Sequence, residues 1–301
     1  SAMTSRRDFL KTSGAVALST AMPALTLAHD KLEIHSRPIP GTDETLPMVG
    51  LGNSRVFQEG DLEATRELIQ LFTSYGGSYV DTIGPSRFTV ASVMQAHDLQ
   101  SQLFVGTYLG TVQYDAMAAE LERVRAAQGK AALDLVLTYD FKEILADPER
   151  YLRLKEAGLT RYIGAARHKQ EFHEPMMQLM EMGVVDFIQV NYSLLEPEAG
   201  ETVLPMAQEK EVAILVNRAF VNGDYFDVVR DRELPEWAAD FDCDSWAQFS
   251  LKFILSHPAV TCVLTETANP EHLVDNLGAG MGRLPDAATR AKMLELVQSF
   301  V

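Results

Sequence analysis

Residues 161–197 read RYIGAARHKQEFHEPMMQLMEMGVVDFIQVNYSLLEP. The stretch parses as strand, helix, strand. Tyr162, Ile163, Gly164 and Ala165 make a short apolar run. Between 174 and 182, Met176, Met177, Leu179 and Met180 recur at helical spacing, and Gly183 supplies a stop. The run 184–190 is apolar and rich in β-branched residues, which predicts a second buried strand. Two buried strands joined by a helix form a right-handed parallel unit. The second strand carries Gln189 and Asn191 toward its end, where a parallel sheet presents its ligand-facing groups.

The same unit recurs on both sides. Strands are expected at 49–53, 79–81, 103–107, 133–137, 212–216 and 260–264, separated by helical patterns at 61–75, 90–99, 116–128, 148–157, 203–210, 245–256, 270–278 and 286–300. Asp61 is the cap of the first helix and Gly76-Gly77 its stop. Residues 32–48, with Pro38, Pro40 and Pro47, read as a covering hairpin or arm. Eight strands alternating with helices, without a linker or low-complexity run, predict one domain over 29–301 folded as a closed (β/α)8 barrel. An open doubly wound sheet is the alternative; the absence of G-x-G-x-x-G after the first strand weakens it. In a barrel the site lies at the C-terminal strand ends, here Asn53, Asp81, Tyr108, Tyr139, Arg167, His168, Asn191, Arg218, Thr265 and Glu266.

Composition agrees. The chain has 301 residues, 47% of them apolar, enough for a barrel of about 250 residues. A net charge of −16 argues against nucleic acid and anionic membranes as partners. Cys243 and Cys262 lack metal-type spacing and are expected as buried free thiols. Asp81, His168 and Glu266 have no metal-ligand spacing either, so no metal is expected. Residues 1–28 stand apart. SRRDFLK at 5–11 precedes an apolar segment and a small-residue site at Ala28, which resembles a twin-arginine signal peptide and implies a periplasmic destination. The segment is too short, and too broken by Pro23, to span a bilayer.

These landmarks resemble the aldo/keto reductases over nearly all of residues 45–285. The pieces that carry the likeness are GLGN at 50–53, YVDT at 79–82, LDLVLTY at 133–139, RYIGA at 161–165, IQVNYSLLE at 188–196 and LSHPAVTCVLTETANPEHLVDN at 255–276. VNRAFVNG at 216–223 and FDCDSWAQF at 241–249 are similar to the subgroup with twin-arginine signals. The resemblance implies hydride transfer from a nicotinamide cofactor to a carbonyl, with a Tyr as proton donor tuned by a Lys and an Asp, and a His orienting the carbonyl. A phenol near pKa 10 needs a neighbouring cation to exchange protons at neutral pH.

Carried over one at a time, the Asp falls on Asp81. The Tyr position holds Ser86, followed by Arg87; the Lys position holds Tyr108; the His position holds Tyr139. On the cofactor side Gln189, Asp275 and Asn276 fit the family's pattern, and Asn191, Arg218, Glu266 and Thr267 complete the candidate set. Glu266 puts a carboxylate where phosphate charge would sit, a repulsion of roughly 1 kcal/mol or more. NAD(P) is therefore expected to bind weakly or not at all.

Three readings stand. The first is an exported reductase fold without the reductase mechanism, binding a small-molecule ligand or a periplasmic protein. The second is an NAD(P)-dependent oxidoreductase with altered catalytic groups. The third is another enzyme using the two tyrosines and the arginines on an anionic substrate. Arg167 and Arg218 are the cations that could lower a tyrosine pKa. In the plainest reading Asp81 ties down a strand end, and Tyr108 and Tyr139 fill vacated space, bonded to one another or to water. His97, His168 and His173 are expected at the surface.

Overall fold

The computed structural model describes residues 32–110 and 113–301. The expected signal peptide at 1–28 lies outside the described residues. The strands are β1 (Ser36–Pro38), β2 (Thr45–Pro47), β3 (Val49–Leu51), β4 (Tyr79–Thr82), β5 (Phe104–Leu109), β6 (Leu133–Thr138), β7 (Thr160–Ala166), β8 (Phe187–Asn191), β9 (Ala213–Asn217) and β10 (Val260–Thr265). β3 to β10 close into a parallel barrel in the order β10-β3-β4-β5-β6-β7-β8-β9. Helices cover the outside, so the strands are buried on both faces and read as near-continuous apolar runs.

β1 and β2 pair antiparallel as the expected covering hairpin. Ile39 and Leu46 from this hairpin join the core inside the barrel with Tyr79, Phe104 and Phe187. Glu44 from the hairpin accepts hydrogen bonds from Arg161 and Tyr162 at the start of β7. The hairpin therefore closes the N-terminal mouth. Phe104 sits among Tyr79, Tyr162 and Phe187 with ring centroids 5.8, 6.1 and 6.0 Å away. With the bottom filled by aromatic rings, the axial cavity opens toward the C-terminal end.

The structure departs locally from the sequence expectation in three places. The apolar run 184–190 pairs only from Phe187, because Val184 and Val185 are buried in the turn after helix His173–Glu181. The Asp186 side chain then accepts from the Ile163 backbone N–H at 3.0 Å. Burial, not pairing, accounts for those two valines. The helix expected at 90–99 starts earlier, spanning Ser86–Ala96, because Ser86 makes its own turn. Short helices Arg55–Gln58, Phe141–Ala146 and Asp224–Val229 lie where the sequence carried no periodic signal. Cys243 and Cys262 are buried free thiols, as expected.

Candidate ligand site

Two cavities open at the C-terminal end. The first, of about 410 Å3, lies over the barrel axis and is lined by Asp81, Tyr108, Tyr139, Arg167, Gln189 and Glu266, among others. The second, of about 970 Å3, runs outward between the ends of β9 and β10 and the helices Trp246–Ser256 and Pro270–Leu277. Arg218, Asn222 and Glu266 line both.

Asp81 sits at the floor of the axial cavity, and its carboxylate accepts from the Tyr79 hydroxyl at 2.7 Å and more distantly from Gln189 Nε2 at 3.4 Å. Among the described residues no cation pairs with it. Burial is the main influence and pushes its pKa up to about 7; the hydrogen bonds from Tyr79 and Gln189 pull it down, and the Glu266 charge adds to the rise. β5 makes room for this arrangement with Gly106: a Cβ there would lie 2.1 Å from the Tyr79 hydroxyl and 2.7 Å from Asp81 Oδ1.

Tyr108 occupies the other end of the network. Its hydroxyl donates to Gln189 Oε1 at 2.8 Å, a partner that neither expected alternative, Tyr139 or water, named. Asn217 Nδ2 donates to the same oxygen at 3.2 Å. The Gln189 amide is thus engaged with Tyr108, Asn217 and Asp81 together. Burial first, then the charges of Asp81 and Glu266, raise the Tyr108 pKa well above its ordinary value. Neither arginine acts on it as a counter-charge. Arg167 donates Nε to the Tyr139 carbonyl at 2.7 Å and stacks on Tyr139 and Phe172. Arg218 is paired with Glu196 at 2.9 Å.

Ser86 contributes nothing to the cavity. It is fully buried, and its Oγ accepts from Ile83 N at 2.8 Å and donates to Ile83 O at 2.7 Å. Tyr139 reaches the cavity wall and is 37% exposed. His168 is exposed on the rim, as expected, while His173 corrects the surface assignment: it is buried and bonded to Asn191 Oδ1 at 2.8 Å. Asn191 Nδ2 donates to Glu196 at 2.6 Å. Asn191, a cofactor candidate from the sequence, lines neither of these two cavities and instead ties His173 to the Glu196–Arg218 pair.

Thr267, Asp275 and Asn276 line the outer cleft. Asp275 accepts from Ser245 at 2.8 Å and from Gln248 at 3.1 Å. Glu266 is exposed and makes no hydrogen bond or ion pair among the described residues, yet the concave walls remove enough water to raise its pKa. Sequence reasoning missed Asn53 and Asn217 as a pair, whose Oδ1 atoms are buried without a hydrogen-bond partner, and Phe220, Phe226 and Trp246, the aromatic wall of the cleft. In VNRAFVNG, Arg218, Val221 and Asn222 take φ of 55°, 50° and 55°, and non-glycine residues held there mark an over-determined loop.

Residues 49–291 match the aldo/keto reductase family, and residues 3–23 match the twin-arginine translocation pathway signal sequence. No curated protein matches. Among solved structures, an aldo-keto reductase from Bacillus halodurans in its holo form aligns with a TM-score of 0.70 at 16% identity, covering 88% of this chain and 96% of that one. One from Klebsiella pneumoniae in complex with NADPH aligns at 0.68 and 17%, covering 89% and 95%. A putative 2,5-diketo-D-gluconic acid reductase B aligns at 0.67 and 20%, covering 87% and 91%. At these identities the likeness concerns the fold. Among the described residues no helix is long and apolar enough to cross a membrane.

The residues present do not fit the phosphates of a dinucleotide. The cleft holds the carboxylates of Glu266 and Asp275, and its two arginines, Arg55 and Arg218, are already paired with Glu59 and Glu196. The N–H groups of Glu271 and His272 at the start of helix Pro270–Leu277 donate to the Asn269 side chain.

Proposed function

The chain belongs to the aldo/keto reductase family and carries a twin-arginine export signal, and we propose that it is an exported binding protein built on the reductase barrel, without carbonyl reduction. The signal peptide is assigned to 1–28, the barrel domain to 29–301, and the destination to the periplasm. One observation carries the reading: among the described residues Asp81 stands at the axis with no cation beside it, and the phenols near it, Tyr79 and Tyr108, are pushed away from neutral pH by burial first and then by acidic neighbours. Proton exchange with a substrate oxygen at neutral pH needs the opposite field. The locked Gln189 amide, and the Glu266 and Asp275 carboxylates in a cleft whose arginines are paired with Glu59 and Glu196, support the same conclusion.

A second reading retains NAD(P)-dependent oxidation or reduction with Tyr108 or Tyr139 as the acid. The observation in its favour is the outer cleft, about 970 Å3 and walled by Phe220, Phe226 and Trp246, which has the size for a dinucleotide. A turnover assay separates the two. With NADPH or NADH and a panel of aliphatic and aromatic aldehydes and ketones, the binding-protein reading expects no consumption of reduced nucleotide. Turnover that disappears in Tyr108→Phe or Tyr139→Phe establishes the second reading.

A further inference from the structure

The axial cavity is bipolar, and its two poles face one another across the barrel. In the ring order β10-β3-β4-β5-β6-β7-β8-β9, the ends of β10, β3 and β4 are consecutive, and β7 stands four strands from β3, directly opposite. The first arc presents Glu266, Asn53 and Asp81. A Cβ on Gly52 would lie 2.5 Å from Glu266 Cγ, so the glycine lets the Glu266 stem lie over the end of β3, toward Asn53. Glu266 has no partner among the described residues, and Asn53 Oδ1 is buried without one. Asn217 Oδ1, also on this cavity, is a further buried acceptor without a donor. Unmet acceptors of this kind are costly and call for a donor from outside the chain.

Across the cavity, β7 ends in Arg167 and His168. Arg167 spends only Nε, on the Tyr139 carbonyl; its terminal nitrogens donate to no group among the described residues. Two of the residues on the wall are apolar or aromatic and open to solvent, Ile83 at 39% and Tyr139 at 37% exposed. A cavity of about 410 Å3 admits a small molecule only.

We infer that this cavity binds a small zwitterion: a primary ammonium seated among Glu266, Asp81 and Asn53 Oδ1, a carboxylate on the terminal nitrogens of Arg167, and a short aliphatic spacer against Ile83 and Tyr139. An ammonium brings three N–H donors to the unpaired Glu266 carboxylate, the Asp81 carboxyl and the unmet Asn53 Oδ1. A planar guanidinium matches the carboxylate at the other end. The pairing of the two ends explains why neither pole is neutralised by the chain itself. The inference rests on the reading of this chain as a binding protein and names the ligand class of that site.

The test is calorimetric titration of the full chain with the ω-amino acids from glycine to aminohexanoate, with butylamine and butyrate as half-ligands and NADPH in a parallel arm. At least one ω-amino acid is expected to bind with a Kd of about 100 μM or tighter, and each half-ligand about tenfold more weakly or worse. Glu266→Gln and Arg167→Gln, both at solvent-accessible positions, are each expected to weaken that binding about tenfold without lowering the melting temperature. Silence across the series, equal binding of butylamine, or binding that survives both substitutions overturns the inference. Silence with NADPH also silent removes the zwitterion alone and leaves the binding-protein reading standing. Silence with NADPH bound removes both.

Discussion

The Tyr79 hydroxyl and the Asp81 carboxylate, 2.7 Å apart, share a space above Gly106 that no other residue at position 106 would leave open. This contact sets the floor of the axial cavity and takes up one Asp81 oxygen. Gly106→Ala should break it, because the new Cβ would stand 2.1 Å from the phenolic oxygen. The expected loss is about 1–3 kcal/mol of folding stability, the usual cost of forcing a methyl group into a packed core. Urea denaturation of the variant measures it. An unchanged midpoint contradicts the geometry.

The raised pKa of Asp81 makes a signed prediction. A carboxyl whose pKa rises from 3.8 unfolded to about 7 folded is held in the fold as the neutral acid. Between those values the folded state binds more protons than the unfolded one, so stability is greatest in acid and falls as pH rises toward 7. At about 1.4 kcal/mol per pH unit, the group costs up to about 4 kcal/mol above neutrality. Asp81→Asn removes the titration. Relative to the parent chain it should gain stability by about 2 kcal/mol or more between about pH 5 and about pH 8. Parallel denaturation curves at the two pH values check this, and a constant difference refutes it.

Restoring the family's catalytic residues should not restore its chemistry. Ser86→Tyr, Tyr108→Lys and Tyr139→His together are expected to give no NADPH-dependent carbonyl reduction, because Glu266 and Asp275 still face the cleft and its arginines stay paired. Ser86→Tyr alone should lower the melting temperature, since Ser86 is buried and closes the turn with Ile83. Reduction by the triple variant would show that the catalytic positions alone were limiting.

Reversing the cleft charge should act in the opposite direction. Glu266→Lys exchanges repulsion for attraction at the nucleotide phosphates, a gain of roughly 2 kcal/mol or about thirtyfold in affinity for NADPH. Fluorescence quenching of Trp246, which lines the cleft, gives the readout. No change in quenching places the obstacle elsewhere.

The barrel was readable because its strands alternate with capped, amphipathic helices, and the strand-helix-strand unit at 161–197 set the period. Strand ends then nominated Asp81, Tyr108, Tyr139, Arg167, His168, Arg218 and Glu266, all of which line the axial cavity. The partners of those side chains were not readable. Gln189 sits 81 positions from Tyr108 in the chain, and only closure of the barrel brings their side chains together. From sequence His173 reads as a surface histidine and Asn191 as a cofactor residue; in the fold they bond to one another, and Glu196, in the turn after β8, joins Asn191 to Arg218. The aromatic wall of the cleft comes from loops without periodicity, held by backbone at positive φ that no pattern of apolar residues announces.

Calorimetric titration of the full chain with NADPH and with NADH tests the central claim most directly. A cleft that carries two carboxylates, and whose arginines are already paired with Glu59 and Glu196, predicts no binding heat for either nucleotide at millimolar concentration. Saturable binding with a Kd in the micromolar range contradicts it, and would return Tyr108 and Tyr139 to the role of proton donors.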